Sequence, residues 1–416
     1  MFRSLGVRNF RLFAGGQVLS ALGTWMMVVC QDWLVLRLTG GSAAALSTVT
    51  ALQFTPLALF MLPGGRLADR YDKRTLLIVA NAVSAGWCAV LAGLDLSGSI
   101  RLWHVYLVAA GLGLVNAVEM PTRMAFVSEL VGPELLPNAS ALSAAYFNLS
   151  RVTGTALVGL LISTVGTGPV MALNAVSYAA TIAGLALIRR SELLLGARPA
   201  GRGGVVDGLR YVAGRSDLVA AVGLLAVVAL VTFNFQVTLP LLATQVLHAD
   251  ATAFGLVSTA FAAGSLASAL ATTLRRRRPS GTLLVASALV LGLMEVAVGL
   301  AGGTVVLMLL LFALGFASLF FGQAANHRIQ LGSDPAYRGR VLALYSLIMQ
   351  GSTPLGALLV GWTAGLWGVR SSFLLAGVIT ALAAVLWWFP LVKHPAATGP
   401  DPGGSRVVVS RSRSRG

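Results

Sequence analysis

The chain has 416 residues, of which 56% are hydrophobic and only 11% charged, and it carries a formal net charge of +16. Soluble domains carry about 25% charged residues. A mean hydropathy of +0.82 is more than a soluble core of this length can bury, so composition excludes a soluble globular protein and defines a polytopic, all-α membrane protein. The two cysteines, Cys30 and Cys88, lie in apolar runs with neither metal spacing nor a disulfide framework, and read as small buried hydrophobes.

Windows of about 20 apolar residues mark the membrane helices. Twelve occur, at about 13–36, 43–62, 75–96, 102–120, 139–164, 170–188, 218–242, 254–274, 282–302, 304–326, 342–366 and 371–391. The ninth and tenth are divided only by Gly302-Gly303-Thr304. The first apolar run is too long for a cleavable signal and no small-residue cleavage site follows it, so it reads as the first span.

The excess charge has two readings, nucleic-acid binding or the cytoplasmic bias of Lys and Arg in membrane proteins. Placement decides. Basic residues fall into alternate loops: Arg3, Arg8 and Arg11 before the first span, Arg66 to Arg74 after the second, Arg123 after the fourth, six arginines from Arg189 to Arg215, Arg275 to Arg278, Arg328 to Arg340, and the tail from Lys393 to Arg415. That places 26 of the 30 basic residues on one side, with only Arg37, Arg101 and Arg370 opposite and Arg151 inside a span. The charge is topological, no nucleic acid is expected, and both termini are expected in the cytoplasm.

The polar stretch 189–217 divides the chain. It predicts an N-terminal six-helix bundle at 1–188, a cytoplasmic linker at 189–217, a C-terminal six-helix bundle at 218–391, and a basic tail at 392–416 of disorder-prone Gly, Ser and Arg composition. Residues 148–182 and 349–381 share a pattern of Gly-rich helix, short Gly turn and plainer apolar helix. That is weak internal symmetry of the kind found in transporters built from parallel repeats, whose substrate sites lie near the midplane.

The stretch Gly64 to Arg74 (GGRLADRYDKR) packs two acids and four bases between two apolar runs. Its pattern, Gly65-x-x-x-Asp69-Arg70-x-x-Lys73-Arg74, resembles the loop between helices 2 and 3 of the major facilitator superfamily. Residues 9–40 resemble the first helix of the exporter branch that contains enterobactin and macrolide efflux proteins. Residues 121–154 resemble its helix 4–5 connection, ending in Asn148-x-x-Arg151-x-x-Gly154. The resemblance covers nearly the whole chain. It implies twelve helices in two six-helix bundles, a monomer in the plasma membrane, and export of an amphipathic small molecule, such as a drug, siderophore or secondary metabolite, by proton antiport. Two departures stand out: Asp72 occupies a position where the family loop has Gly, and Gly154-Thr155 replaces the Gly-Pro of the antiporter signature. Nutrient uptake by the same fold is the alternative.

The resemblance also implies a gate. Asp69, at the end of the second span, would accept hydrogen bonds from the helix N-terminus near Arg340 and Val341. Arg70, Lys73 and Arg74 would add charge pairs across the rim, and Gly65 would allow close helix approach, leaving Gly64 a turn residue. The competing reading is a solvated topogenic loop.

Arg151 lies about 12 residues into its span, where an arginine is costly and faces a bundle interior or a wet cavity. Its candidate partners are Asp32 and Glu119, each about 10 Å off the midplane by helical rise. It reads as a charge relay, a substrate anion site or one half of a structural pair. Asp32, Glu119 and Glu295 are the acids that can sit in the membrane, where a carboxylate removed from water can exchange protons as coupling requires. Asp32 is preferred for coupling, Glu119 can instead pair with Arg123, and Glu295 reads as structural. Gln53, Asn116, Asn148, Phe233, Asn234, Phe235, Gln323, Asn326 and Gln350 are candidate cavity residues, with interhelical hydrogen bonding as the competing role. His104 and His327 read as interfacial.

No G-x-x-x-x-G-K-[ST] loop occurs, and the only lysines, Lys73 and Lys393, do not follow Gly, which argues against ATP hydrolysis. No zinc-spaced His/Cys set occurs, so no metal or cofactor is expected. A membrane-bound acyltransferase would need a catalytic cluster at one face, and none is present; the protein is not expected to be an enzyme.

Overall fold

The computed structural model describes residues 3–194, 205–248, 250–273, 280–334, 337–388 and 391. Among these residues the chain is helical throughout. The elements are α1 (Arg8–Thr39), α2 (Ala43–Arg70), α3 (Lys73–Leu96), α4 (Leu102–Val165), α5 (Thr167–Ala186), α6 (Val205–Ala213), α7 (Ser216–Val231), α8 (Phe235–Gln245), α9 (Ala251–Thr273), α10 (Gly281–Leu300), α11 (Thr304–Gly332), α12 (Arg338–Trp367) and α13 (Val369–Leu386). Counting α7 with α8, and α4 once, eleven of the described helices are long and apolar enough to cross a membrane.

α4 covers both the fourth and fifth predicted spans. Its 64 residues would reach about 96 Å if straight, three times the hydrocarbon thickness. Gly132 interrupts it with φ 71° and ψ 174°, a backbone conformation that suits glycine, and Pro133 follows at once. The chain reverses there. α4 starts six residues after the end of α3, and Thr167, just beyond its other end, donates to Asp95 of α3, which also pairs with Arg37 at 2.6 Å. Both ends of α4 therefore lie at one face, and Gly132 lies at the other, near Lys73 and Glu129.

Several helices outrun their apolar windows. α2 continues to Arg70, so most of the 64–74 stretch is helix and the turn is only Tyr71-Asp72. α11 runs on to Gly332 and takes Arg328, expected in a loop, into a buried position. The predicted span at 218–242 is broken: α7 stops at Val231 and α8 restarts at Phe235. Pro240 lacks the amide that would bond to the carbonyl of residue 236, and the Asn234 side chain donates to Leu230 O at 2.7 Å, which satisfies the carbonyl freed at the break. The linker also contains the short helix α6, packed where Gly208 meets the Arg340 carbonyl at the start of α12. Linker residues 195–204, the arginines at 275–278 and the tail from 392 lie outside the described residues.

Between helices, packing relies on small residues and on hydroxyls that bond across to backbone carbonyls, as expected where lipid removes the hydrophobic drive for helices to associate. Thr181 donates to Gly16 O at 3.0 Å and joins α5 to α1, and Ser265 donates to Gly315 O at 3.2 Å and joins α9 to α11. Cys30 and Cys88 are both free and buried.

Candidate functional site

The main cavity measures about 530 Å³ and lies between helices that precede and follow the linker. α1 contributes Trp25, Val28, Val29 and Asp32, α2 contributes Phe54, and the second arm of α4 contributes Arg151 and Thr155. Opposite them stand Phe233, Phe235 and Gln236 at the α7–α8 break, Phe261 and Ser265 of α9, Gln323, Asn326 and His327 of α11, and Tyr345, Met349 and Gln350 of α12. The helical register explains this lining. Positions 25, 28, 29 and 32 make one stripe of α1, and 151 and 155 are one turn apart on α4.

Five of the nine cavity candidates read from the sequence line this space: Phe233, Phe235, Gln323, Asn326 and Gln350. Four do not. Gln53 is not among the lining residues, and its backbone carbonyl meets Gly113 at the α2–α4 contact. Asn148 donates to Ala144 O of its own helix at 2.8 Å. Asn234 is 2% exposed and holds the helix break. Asn116, half-buried in the first arm of α4, is not among the lining residues. His327, expected at the interface, does line the cavity. Phe54, Phe261, Tyr345 and Trp25 were not legible as cavity residues, because an aromatic in an apolar span can face lipid, core or cavity alike.

The charged groups separate into two sets. Asp32 is buried and lines the cavity together with Arg151, yet no ion pair within 4 Å joins them. By helical rise Asp32 lies about 10 Å further along α1 than Trp25. Arg151 has its guanidinium over the Trp25 ring at 5.7 Å, a cation–π contact of about 0.5–2 kcal/mol. Glu119 is occupied elsewhere: it pairs with Arg123 at 3.1 Å, one helical turn away. Arg123 lies over Phe147, which packs edge-on against Trp25 with centroids 5.7 Å apart. Glu295 is outside the cavity. It accepts from Thr232 at 3.0 Å in a buried cluster with Thr380 beside the α7–α8 break.

At 64–74 the assignments from sequence need redistribution. Gly64, taken as a turn residue, packs directly on the Ala117 backbone, while Gly65, expected to permit close approach, has nothing within 4 Å of where a Cβ would stand. The helix continues through both, and only Gly64 faces α4. Lys73 bonds Glu129 at 2.6 Å, and Arg74 donates to Leu185 O at 2.6 Å and Ala186 O at 2.7 Å. Both therefore brace the helices before the linker rather than bridging the rim. Asp72 caps α3: its carboxylate accepts from the Thr75 amide at 3.0 Å and hydroxyl at 2.6 Å, with Arg190 at 3.5 Å. Partial burial pushes its pKa up, but the Thr75 bonds and the nearby Arg190 and Arg74 outweigh that and leave it below the ordinary carboxylate value. Asp69 and Arg70 are exposed. Arg70 lies over Tyr71 at 5.8 Å, and Asp69 has no hydrogen bond or ion pair among the described residues. Arg340, near the expected partner of Asp69, lies instead over Tyr337 at 5.1 Å.

Contacts between the helices before and after the linker gather at the face away from 64–74. Gly361 of α12 abuts Ser47 of α2, and Gly159 of α4 meets Ala251 and Gly255 of α9. Gln245 donates to Gly41 O at 3.3 Å, and Trp33 stacks on Phe254 at 5.6 Å. At the basic face no hydrogen bond, ion pair or ring contact joins the two sets among the described residues.

A helical membrane bundle with a polar, aromatic-lined cavity between helices before and after the linker is the architecture of a multi-pass membrane transporter for a small molecule. The sequence profile of the family described as transmembrane secretion effector, within the major facilitator superfamily, matches residues 2–401. The chain belongs to this family. It is 29% identical over 402 residues to the multidrug efflux pump Tap of Mycobacterium tuberculosis, covering 88% of this chain and 90% of that protein. It is 24% identical over 384 residues to macrolide efflux protein A of Streptococcus pyogenes, covering 91% and 95%. It is 23% identical over 387 residues to the staphyloferrin A transporter of Staphylococcus aureus, with the same coverage of 91% and 95%. Among solved structures, a point mutant of the nucleoside transporter NupG superposes with a TM-score of 0.74 at 12% identity over 92% of this chain and 99% of that one. A bacterial homologue of the lysosomal transporter Spinster, inward-facing and unoccupied, does so with a TM-score of 0.70 at 14% identity over 93% and 99%. These likenesses establish the major facilitator fold.

Proposed function

We propose that this protein exports an amphipathic small molecule across the plasma membrane by alternating access. Residues 1–188 and 218–391 form two six-helix bundles, α4 counting as two crossings, and rock against each other around the cavity. Both termini are cytoplasmic, in keeping with the 26 of 30 basic residues on one side. The observation that carries this reading is the cavity between the two sets of helices, with hydrogen-bond, ring and glycine contacts between them, among the described residues, at the face opposite the basic loops. That asymmetry fits the state open to the cytoplasm.

The latch reading of Asp69 follows from the same asymmetry. Its carboxylate is free in this state and engages the start of α12 only when the basic face closes, so it biases a two-state balance. Coupling to protons is supported by Asp32, a buried carboxylate on the cavity wall. The relatives named for multidrug and macrolide efflux support export, with a drug-like cargo. The protein acts as a monomer within the bilayer.

The test compares accumulation of a panel of antibiotics, dyes and siderophores in cells with and without the gene, before and after a protonophore. Export predicts lower accumulation of at least one compound in expressing cells, and a proton-driven cycle predicts that the protonophore erases the difference. Higher accumulation of a compound in expressing cells would instead indicate uptake.

A further inference from the structure

Resting on that reading, we propose that the cavity selects organic anions: an aromatic or apolar body carrying a carboxylate or similar oxyanion, held by Arg151 and Trp25. Three donors of these two cavity-lining residues have no acceptor among the described residues. They are Arg151 Nε, Arg151 Nη2 and Trp25 Nε1, all shielded from solvent. A guanidinium keeps its proton in proteins and has no acceptor capacity, and an indole nitrogen can only donate. The cluster therefore calls for a ligand that accepts hydrogen bonds and carries negative charge.

Among the described residues no acid fills that role. Glu119, the acid within sequence reach, pairs with Arg123 at 3.1 Å. Asp32 shares the cavity but makes no ion pair with Arg151, and it lies about 10 Å further along α1 than the Trp25 ring under the guanidinium. The ring compensates part of the charge through its π face but accepts no conventional hydrogen bond. A planar guanidinium fork matches a carboxylate in bidentate fashion, with a gain in geometric selectivity that a point charge lacks.

The rest of the wall fits the body of such a ligand. Phe54, Phe233, Phe235 and Phe261 line the same space, and its volume of about 530 Å³ is in the range of sites for drug-sized molecules. Asp32 at a distance adds a second selection. It disfavours a ligand whose negative charge extends along α1, and it tolerates one with an amine at the far end.

The experiment uses three fluorescent probes with one body: dansylglycine, its neutral amide dansylglycinamide, and the cation dansylethylenediamine. Binding to the purified full-length protein in lipid nanodiscs is read from the dansyl emission, and so does not depend on export. Wild type is expected to bind dansylglycine at least about tenfold tighter than the amide, the margin of one good charged pair. Arg151→Gln is expected to bring the ratio close to one, Arg151→Lys to keep part of it, and Asp32→Asn to raise it. Equal binding of all three probes by wild type, or preference for the amine, would overturn the proposal without any variant having to fold. An unchanged ratio in Arg151→Gln would also overturn it. Export of a purely cationic drug in cells, together with amine preference in nanodiscs, would sink anion selection and leave the exporter reading standing.

Discussion

The two ends of the cavity are built from different chemistry. At the face away from the basic loops the halves meet through glycines and small residues: Gly361 on Ser47, and Gly159 on Gly255. An amide hydrogen bond, Gln245 to Gly41, and an aromatic stack, Trp33 on Phe254, lie at the same face. The basic face has the charges, yet among the described residues its ion pairs do not cross between the two sets of helices. Lys73–Glu129, Arg190–Asp72 and Arg215–Asp217 all brace neighbouring segments rather than joining the two sets of helices. Steric fit closes one end and breaks when a single methylene is added, whereas charges in water tolerate separation at little cost. A transporter that must open each end in turn can therefore rest with its packed end shut and its charged end apart.

The largest expected effect comes from the packed end. Gly361→Leu places a side chain where the Ser47 side chain now sits, and a misfit of that kind costs roughly 1–3 kcal/mol. Efflux should fall more than about tenfold, with the opposite face becoming accessible to a membrane-impermeant thiol reagent at Ser47→Cys. A fully active Gly361→Leu protein would show that the helices do not need to approach there. Next is Asp69→Asn. Removing the latch should lower efflux on the order of five- to tenfold, equivalent to about 1 kcal/mol in a two-state balance, with normal amounts of protein in the membrane. Wild-type efflux would reduce Asp69 to a solvated residue.

Smaller effects should separate bracing from gating. Lys73→Ala removes a pair internal to the first half, so it should lower thermal stability by about 1 kcal/mol or less while leaving the distribution of conformations unchanged. A shift in that distribution would return Lys73 to the gate. Smallest is Asp72→Ala, which removes the α3 cap and should cost about 1 kcal/mol at most, less for Asp72→Gly. Because the folded-state pKa of Asp72 is depressed, its contribution is present above the unfolded carboxylate value and is lost as pH falls through the folded one. Thermal unfolding of wild type and Asp72→Ala should therefore converge in acid, the difference being modest because the group is half exposed.

Hydropathy and charge alternation made the spans readable, since both follow from the cost of placing polar groups in hydrocarbon. The helix ends were not readable the same way. Arg66, Asp69 and Arg70 are polar but continue α2, because a helix emerging from the membrane keeps its hydrogen bonds while water solvates its side chains. The break at Thr232–Asn234 was hidden inside an apolar run, and it depends on which side chains can take over the freed carbonyls. In the site, Asp32 and Arg151 stood out because charge in a span is expensive. Phe54 and Tyr345 did not, since nothing in one sequence tells a lipid-facing aromatic from one that faces a cavity. Gly64 and Gly65 show the same limit at the scale of one residue: either could serve a close contact, and only the rotation of α2 against α4 chooses Gly64.

Alternating closure of the two ends is tested most directly by spin-label distances between the halves. One pair of labels, at Glu134→Cys and Leu331→Cys, spans the basic face; the other, at Leu96→Cys and Val305→Cys, spans the opposite face; all four sites are exposed. Measured at acidic and neutral pH, and with an exported compound, the account predicts reciprocal change: a shorter basic-face distance whenever the opposite-face distance lengthens. Distances that stay fixed in every condition, or that lengthen and shorten together, would contradict it.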